Sequence, residues 1–395
     1  MKAIRTPQDL ALHGAAPAFA EALHVGRPNI GDRAAFLQYA NDIFDRRWLS
    51  NNGPLVQQFE REIEAHLGVK HCVAMCNGTI ALEIAIRALG MEGEVIVPSY
   101  TFVATAHALH WQSITPVFAD IDPATHQISP QAVRRMITPR TSGIIGVHLW
   151  GRAAPVDALQ EIADEHGLKL MYDAAHAFSC KHQGRMIGNF GACEVLSFHA
   201  TKFFNTFEGG AVVTNDDELA DTMRLMRNFG FAGFDRVIHP GTNGKMVEIN
   251  AAMGLVNLKA LDDVIAANHR NYLAYRDALH DIQGLQLLSV ETGERHNYQY
   301  VVVEVAPDCP ASRDQLIEAL LAENVIARRY FWPGCHNMEP YRSLYPHAGL
   351  VLPQTDVVAA RVIVLPTGQT MDAAMIATVV QIMRTRIAEL ASDVR

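Results

Sequence analysis

Between residues 72 and 214, short apolar runs alternate with segments in which apolar residues recur every three or four positions. The short runs are typical of buried strands, and the periodic segments are typical of helices. The predicted strands are 72–75, 94–97, 115–119, 143–149, 168–172, 193–198 and 211–214, and the predicted helices between them are 80–89, 101–111, 130–137 and 155–166. This alternation predicts an α/β fold with a mostly parallel sheet and helices on both faces.

The flanking sequence predicts three further units. Residues 1–27 are Ala-rich and irregular, so we expect an N-terminal arm or a frayed start. The large domain, 28–247, adds helices over 33–47, 54–67 and 216–227 and ends in a Gly-rich loop. A linking helix over 248–283 then leads to a small C-terminal α/β domain, 284–395. The small domain's predicted strands are 285–289, 300–305, 326–330 and 361–365, and its predicted helices are 312–323 and 372–390.

Composition narrows the class of protein. The chain has 395 residues, of which 49% are hydrophobic and 19% charged, so it can bury a large core. A net charge of −9 without a basic block disfavours nucleic acid as the main partner. The six cysteines are scattered and the histidines do not cluster, so we predict no metal site. The sequence shows neither a signal peptide nor an apolar run of about 18 residues, which predicts a cytoplasmic protein without a membrane partner.

A lysine follows the predicted strand 193–198, in the stretch Ser197-Phe198-His199-Ala200-Thr201-Lys202. A lysine at a strand end can lie in a cleft, where desolvation lowers its pKa and frees the amine as a nucleophile. An activated amine forms a Schiff base with a carbonyl, and pyridoxal 5'-phosphate (PLP) is the commonest such partner. Taken alone, this stretch favours an ordinary surface lysine, since most lysines are solvated.

Polar residues also follow other predicted strands. Asn77-Gly78-Thr79 opens an apolar helix, where the Thr79 hydroxyl and free amides form an anion site or a simple N-cap. Asp173 could pair with a pyridinium N–H or cap the following turn. His176 could contact a cofactor ring oxygen, and Phe102 could stack on the cofactor ring, or both could be core residues. Because ligands bind beyond the carboxyl ends of parallel strands, these residues and Lys202 are expected to share one cleft. Their combination favours a PLP site.

Seven motifs in order resemble the DegT/DnrJ/EryC1/StrS family of sugar aminotransferases, PLP enzymes of the aspartate aminotransferase fold (fold type I). The resemblance runs from about residue 28 to the last predicted helix. The motifs are Asn77-Gly78-Thr79-Ile80-Ala81-Leu82, Pro98-Ser99-Tyr100-Thr101-Phe102, Asp173-Ala174-Ala175-His176-Ala177, Ser197-Phe198-His199-Ala200-Thr201-Lys202, Glu208-Gly209-Gly210-Ala211, Asn243-Gly244-Lys245-Met246 and Pro333-Gly334-Cys335-His336.

The resemblance implies a role for each motif. Lys202 binds the cofactor covalently, Asp173 pairs with the pyridine nitrogen, and His176 lies near the ring oxygen, where many members have Gln. The residues implied to bind the phosphate are Gly78, Thr79 and Ser197. The resemblance also implies a homodimer with shared active sites, in which Asn243 or Lys245 reaches the phosphate from the neighbouring subunit. His336 is implied to contact the sugar, and Arg328, Arg329, Lys245 and Arg236 are candidates for the substrate's diphosphate.

The implied reaction transfers an amino group from glutamate to a keto nucleotide sugar. Related dehydratases replace the lysine by histidine, so Lys202 favours transamination. Residues 327–341 resemble the subgroup that aminates C4 of dTDP-4-keto-6-deoxyglucose, although this segment also suits a packing loop. The alternatives are a C3 sugar aminotransferase, another fold-type I enzyme such as a sugar dehydratase or an amino-acid transaminase, and a non-catalytic PLP-binding regulator.

Overall fold

The computed structural model describes residues 2–290 and 293–393. The strands in these residues are β1 (Leu23–His24), β2 (His71–Met75), β3 (Glu94–Pro98), β4 (Thr115–Ala119), β5 (Thr141–Val147), β6 (Lys169–Asp173), β7 (Lys181–His182), β8 (Arg185–Met186), β9 (Cys193–Ser197), β10 (Gly210–Thr214), β11 (Leu285–Leu287), β12 (Val301–Val305), β13 (Val325–Ile326) and β14 (Val362–Leu365). The α-helices are α1 (Arg33–Arg46), α2 (Pro54–Leu67), α3 (Gly78–Ala88), α4 (Ala104–His110), α5 (Pro130–Met136), α6 (Val156–His166), α7 (Asp217–Met226), α8 (Glu248–Lys259), α9 (Leu261–Leu279), α10 (Arg313–Ala322), α11 (Tyr341–Leu344), α12 (Pro353–Ala359) and α13 (Ala373–Asp393).

A seven-stranded sheet in the order β2-β10-β9-β6-β5-β3-β4 forms the centre of the large domain. Strand β10 runs antiparallel to both of its neighbours, and the other strand pairs are parallel. Successive residues of β2 pack on opposite faces, with Cys72 and Ala74 in one core cluster and Val73 and Met75 in another. Helices cover both faces, which explains why most of these strands read as continuous apolar runs. The predicted α/β fold with a mostly parallel sheet is confirmed.

The small domain is built on the antiparallel sheet β11-β12-β14, which packs with α9, α10 and α13. The N-terminal segment belongs to the same core, because Leu10, Phe19 and Leu23 are buried in it and β1 pairs with β13. The buried Glu323 carboxylate accepts hydrogen bonds from the backbone N–H groups of Ala11 and Ala18, both at 2.6 Å. The expectation of a frayed start is therefore wrong, since this segment is fastened to the small domain.

Several predicted elements differ from the structure. The linking helix predicted over residues 248–283 is two helices, α8 and α9, separated at Ala260. The strand predicted over 326–330 is the short strand β13, which ends at Ile326. The chain beyond it is a loop that carries Tyr330. Helix α4 begins at Ala104 rather than at residue 101, because hydrogen bonds hold the preceding segment to this loop: the Tyr100 hydroxyl donates to the Tyr330 carbonyl oxygen at 2.6 Å.

No helix within the described parts of the chain combines the length and the apolar character needed to cross a membrane. The two longest helices, α9 and α13, pack on each other.

Candidate active site

A cavity of about 600 Å³ opens at the carboxyl edge of the central sheet. The ends of β6 and β9, the start of α3 and the loop after β3 form most of its wall, and Tyr300 and Tyr330 close it from the side of the small domain. The cavity brings together seven of the residues predicted from sequence: Gly78, Thr79, Phe102, Asp173, His176, Ser197 and Lys202. These residues come from the ends of β6 and β9 and from the segments that follow β2, β3, β6 and β9, and the sheet brings these strand ends to one edge as expected.

Lys202 lies in the turn after β9, and its side chain is largely withdrawn from water. Its Nζ donates a long hydrogen bond of 3.5 Å to the Tyr300 hydroxyl. Burial lowers the pKa of Lys202 from 10.5 to about 8, although the nearby Asp173 carboxylate opposes this shift. The lowered pKa raises the fraction of the amine that is the free base near neutral pH, which is the form that attacks a carbonyl.

Asp173 ends β6 with a buried carboxylate that faces the cavity. Its Oδ1 accepts from the Ala175 N–H at 3.0 Å, and its Oδ2 accepts from the Thr105 hydroxyl at 2.9 Å. Burial raises the pKa of Asp173, and these two hydrogen bonds and the charge of Lys202 partly offset the rise. Such a carboxylate is poised for a further cationic N–H partner from a ligand.

His176 is buried beside the lysine, and burial together with the Lys202 charge holds its pKa well below its usual value. Its Nε2 lies 3.2 Å from the Tyr300 hydroxyl, whereas its Nδ1 has no hydrogen-bond partner among the described residues. The imidazole stacks on Trp150 with a centroid distance of 5.7 Å and on Phe331 at 5.8 Å. The ring is thus a neutral, fixed imidazole that keeps one nitrogen for a ligand.

The first turn of α3 forms a cradle on the opposite wall. Asn77 is the N-cap of this helix and accepts from the Ile80 N–H at 2.8 Å, so the Thr79 hydroxyl is not used as the cap. A Cβ on Gly78 would lie 3.1 Å from the Cβ of Ser197, so glycine permits the close approach of the helix start to β9. The Thr79 and Ser197 hydroxyls line the cavity beside the helix terminus, which is the arrangement that binds a phosphate.

These groups fit PLP. The Asp173 carboxylate suits the ring nitrogen, the free His176 nitrogen suits the ring oxygen, and the α3 terminus suits the phosphate. Phe102 precedes α4 and is 57% exposed, so it is available to cover the ring face and is not a core residue. Within a single described chain, each polar part of the cofactor has a matching group.

Two predicted residues lie away from the cavity on the Gly-rich loop. Asn243 is exposed and pairs with Asn228 in an isolated bridge. Lys245 donates to the Asn228 side-chain oxygen at 2.9 Å and borders a separate cavity of about 230 Å³ with Arg224 and Arg227. Neither side chain lines the PLP cavity of its own chain, and their assignment to a neighbouring subunit stays a prediction.

Two residues predicted to bind the substrate, His336 for the sugar and Arg329 for the diphosphate, are engaged elsewhere. His336 is buried, with its Nδ1 2.7 Å from the Ser99 hydroxyl and its Nε2 3.2 Å from Asp356. Arg329 is exposed and forms an ion pair with Asp314 at 3.1 Å. Neither residue is among those that border the cavity, so the structure does not bring them to the site, and their contacts with a substrate stay predictions.

Sequence reasoning missed three residues that shape the site: Thr105, Trp150 and Tyr300. Tyr330 and Phe331 also line the cavity, and they belong to the aromatic segment 327–341 that the sequence predicts to meet the acceptor sugar. Thr105 lies three residues after Phe102, one helical turn along, which is a weak signal. Trp150 and Tyr300 carry no local signal, because their position depends on how the small domain packs.

Residues 31–384 match the model of the DegT/DnrJ/EryC1/StrS aminotransferase family. The chain is 38% identical over 319 residues to a dTDP-4-amino-4,6-dideoxy-D-glucose transaminase of Shigella dysenteriae, covering 81% of this chain and 87% of that protein. It is 36% identical over 311 residues to a GDP-perosamine synthase of Caulobacter vibrioides, covering 78% and 84%. The fold matches the crystal structure of DesI in the presence of its TDP-sugar product, with a TM-score of 0.93, 48% identity and coverage of 98% and 99%.

Proposed function

Because the chain belongs to the DegT/DnrJ/EryC1/StrS aminotransferase family of PLP-dependent nucleotide-sugar enzymes, we propose that it transfers the amino group of glutamate to C4 of dTDP-4-keto-6-deoxyglucose. The observation that carries the sugar and the carbon is the similarity to dTDP-4-amino-4,6-dideoxy-D-glucose transaminases at 38% identity. The 48% identity to DesI, which was solved with a TDP-sugar product, supports the same nucleotide. The match to GDP-perosamine synthases makes a GDP-linked 4-keto sugar the second candidate.

The cavity supplies a nucleophile and base for this reaction. Bound PLP draws electrons from the carbon that loses or gains the amino group. Lys202 Nζ would hold the cofactor covalently, and as the free amine it would accept the α-proton of glutamate. In the second half-reaction the same nitrogen, in its protonated form, would deliver a proton to C4 of the sugar. Its lowered pKa allows both roles near neutral pH.

The other side chains orient the cofactor. The Asp173 carboxylate stays ionised when a cationic N–H faces it, which holds the ring in its protonated form. Gly78, Thr79 and Ser197, which line the cavity at the start of α3, would hold the phosphate. Phe102 would cover one face of the ring and limit the access of water.

We further propose that the active form is a homodimer in which Asn243 or Lys245 completes the neighbouring site. Among the described residues that line the cavity, Lys202 is the only lysine or arginine, although glutamate and the nucleotide sugar together bring carboxylates and a diphosphate. The Gly-rich loop also exposes apolar side chains, and its Phe234 is 99% exposed. Apolar exposure of this kind is typical of a surface that another chain covers.

The test is amination with glutamate against a panel of keto nucleotide sugars. We expect the purified protein to be yellow, its colour to bleach with glutamate, and dTDP-4-keto-6-deoxyglucose to yield dTDP-4-amino-4,6-dideoxyglucose by NMR. Lys202→Ala is the inactive control. An amine on C3, or turnover with GDP- or UDP-linked sugars alone, would overturn the proposed substrate, and colour without bleaching would favour the non-catalytic alternative.

A further inference from the structure

The segment before β12 reaches into the site at three points. The side-chain amide of Asn297 donates to the backbone oxygen of His176 at 2.9 Å. The side-chain oxygen of Gln299 accepts from the backbone N–H of Phe203, next to the lysine, at 3.3 Å. Tyr300 follows, with its hydroxyl between the two reactive side chains. Residues 297–300 therefore hold His176 and the Lys202 turn in a fixed relation.

The Tyr300 hydroxyl joins the two side chains. It lies 3.5 Å from Lys202 Nζ, which donates to it, and 3.2 Å from His176 Nε2. A hydroxyl has one proton to donate, so a phenol that accepts from the lysine is free to donate to the imidazole. Within the described residues, Tyr300 is the side chain that the structure places in hydrogen-bond contact with the lysine amine.

This arrangement determines where the proton of the neutral imidazole resides. If Nε2 accepts from the Tyr300 hydroxyl, the ring proton must be on Nδ1. Nδ1 is the buried atom of His176 that has no partner in the described residues. The Nδ1–H group of His176 is then a donor that an acceptor oxygen of a ligand can use.

We propose that Tyr300 is a further catalytic residue, whose hydroxyl accepts from Lys202 and donates to His176 and so fixes the Nδ1–H form of the imidazole. The acceptor for that N–H is the phenolic oxygen of the cofactor ring, and this part of the inference rests on the proposed function. Because Tyr300 comes from the small domain, the orientation of the reactive amine depends on how the two domains pack.

The decisive variant is Tyr300→Phe, which removes the hydroxyl and retains the ring that packs on His176 with a centroid distance of 4.4 Å. Tyr275→Phe is the matched control, because it also removes a buried tyrosine hydroxyl, one that donates to the Pro366 carbonyl oxygen at 2.9 Å in the small-domain core. Both variants are measured in the full chain, with and without PLP.

The first readout is the ¹⁵N NMR spectrum of the histidine rings in the cofactor-free protein. The His176 signals are identified among the 18 histidines by their absence in His176→Gln. We expect a protonated Nδ1 in the parent and in Tyr275→Phe, and a shift toward the other form in Tyr300→Phe. A parent His176 with its proton on Nε2, or an unchanged spectrum in Tyr300→Phe, would overturn the assignment.

The second readout is steady-state amination in the PLP-loaded enzyme. Because the Tyr300 hydroxyl orients the reactive amine and the His176 ring, we expect kcat to fall by about tenfold or more in Tyr300→Phe. KM for glutamate should change less than about twofold, and Tyr275→Phe should match the parent. An unchanged kcat would refute a catalytic role. Absence of any amination by the parent, combined with the expected NMR shift, would refute the proposed function and leave the Tyr300 contacts standing.

Discussion

Replacing Lys202 by methionine in the cofactor-free protein removes an amine that the fold holds largely away from water. Methionine keeps a long, unbranched side chain, so the packing around the stem is retained. Burial lowers the pKa of Lys202 from 10.5 to about 8, so the folded chain disfavours the ammonium form relative to the unfolded chain. We therefore expect Lys202→Met to be more stable than the parent protein when PLP is absent.

The magnitude follows from the shift. One pKa unit corresponds to about 1.4 kcal/mol, so a fall from 10.5 to about 8 implies a folding penalty of about 3 kcal/mol. The amine borders an open cavity, and solvent screening there reduces the penalty to about 2–3 kcal/mol. Because the folded pKa is lowered, the penalty is fully present below pH 8, declines between pH 8 and 10.5, and is absent above pH 10.5.

The assay is urea unfolding of cofactor-free parent and Lys202→Met at pH 7 and at pH 10. We expect the gain in the free energy of unfolding to be about 2 kcal/mol larger at pH 7 than at pH 10. Lys169→Met, at an exposed position on β6, is the matched control and should show no such difference. Equal gains at the two pH values would refute the argument, because a solvated amine would carry no penalty to relieve.

Two further predictions test the cofactor contacts. Asp173→Asn should slow the half-reaction with glutamate by about a hundredfold, which is the usual effect of losing one fixed electrostatic partner, because a neutral amide no longer keeps the ring nitrogen protonated. Stopped-flow absorbance measures the rate of this half-reaction, and a rate like that of the parent would exclude the pairing. Mixing Lys202→Ala with Asn243→Ala protein should restore part of the activity after subunit exchange, since a hybrid dimer contains one intact site; no recovery despite proven exchange would argue against Asn243 acting in the neighbouring site.

The catalytic edge of the sheet could be predicted from sequence because it depends on local patterns. Asp173 and Ser197 each end an apolar strand, and Gly78 opens an apolar helix. In a parallel sheet, strand ends of this kind meet at one edge, so convergence needs no knowledge of long-range packing. The structure places these residues around one cavity, although their individual roles stay predictions.

The features that were missed depend on contacts between distant segments. Helix α4 begins late because the Ser99–Tyr100 stretch is fixed by partners more than 200 residues away, Tyr330 and His336. The N-terminal segment is ordered because the buried Glu323 accepts two of its backbone N–H groups. Hydrophobic periodicity and turn residues carry no information about contacts between distant segments. Prediction from the local pattern of one sequence therefore misplaces these elements.

The wall beside the reactive lysine is assembled from both domains. The His126 imidazole, buried in the large domain, lies with its Nε2 2.7 Å from the Glu304 carboxylate on β12. The Trp150 N–H donates to the other nitrogen of His126 at 3.1 Å, and the Trp150 ring stacks on His176. Tyr300 contacts the Nε2 of His176 from the small domain, with its hydroxyl 3.2 Å away. The His126–Glu304 and Tyr300–His176 contacts join the two domains, and the Trp150 contacts depend on His126. Neither domain alone therefore forms the complete site. The position of His176 depends on the packing of both.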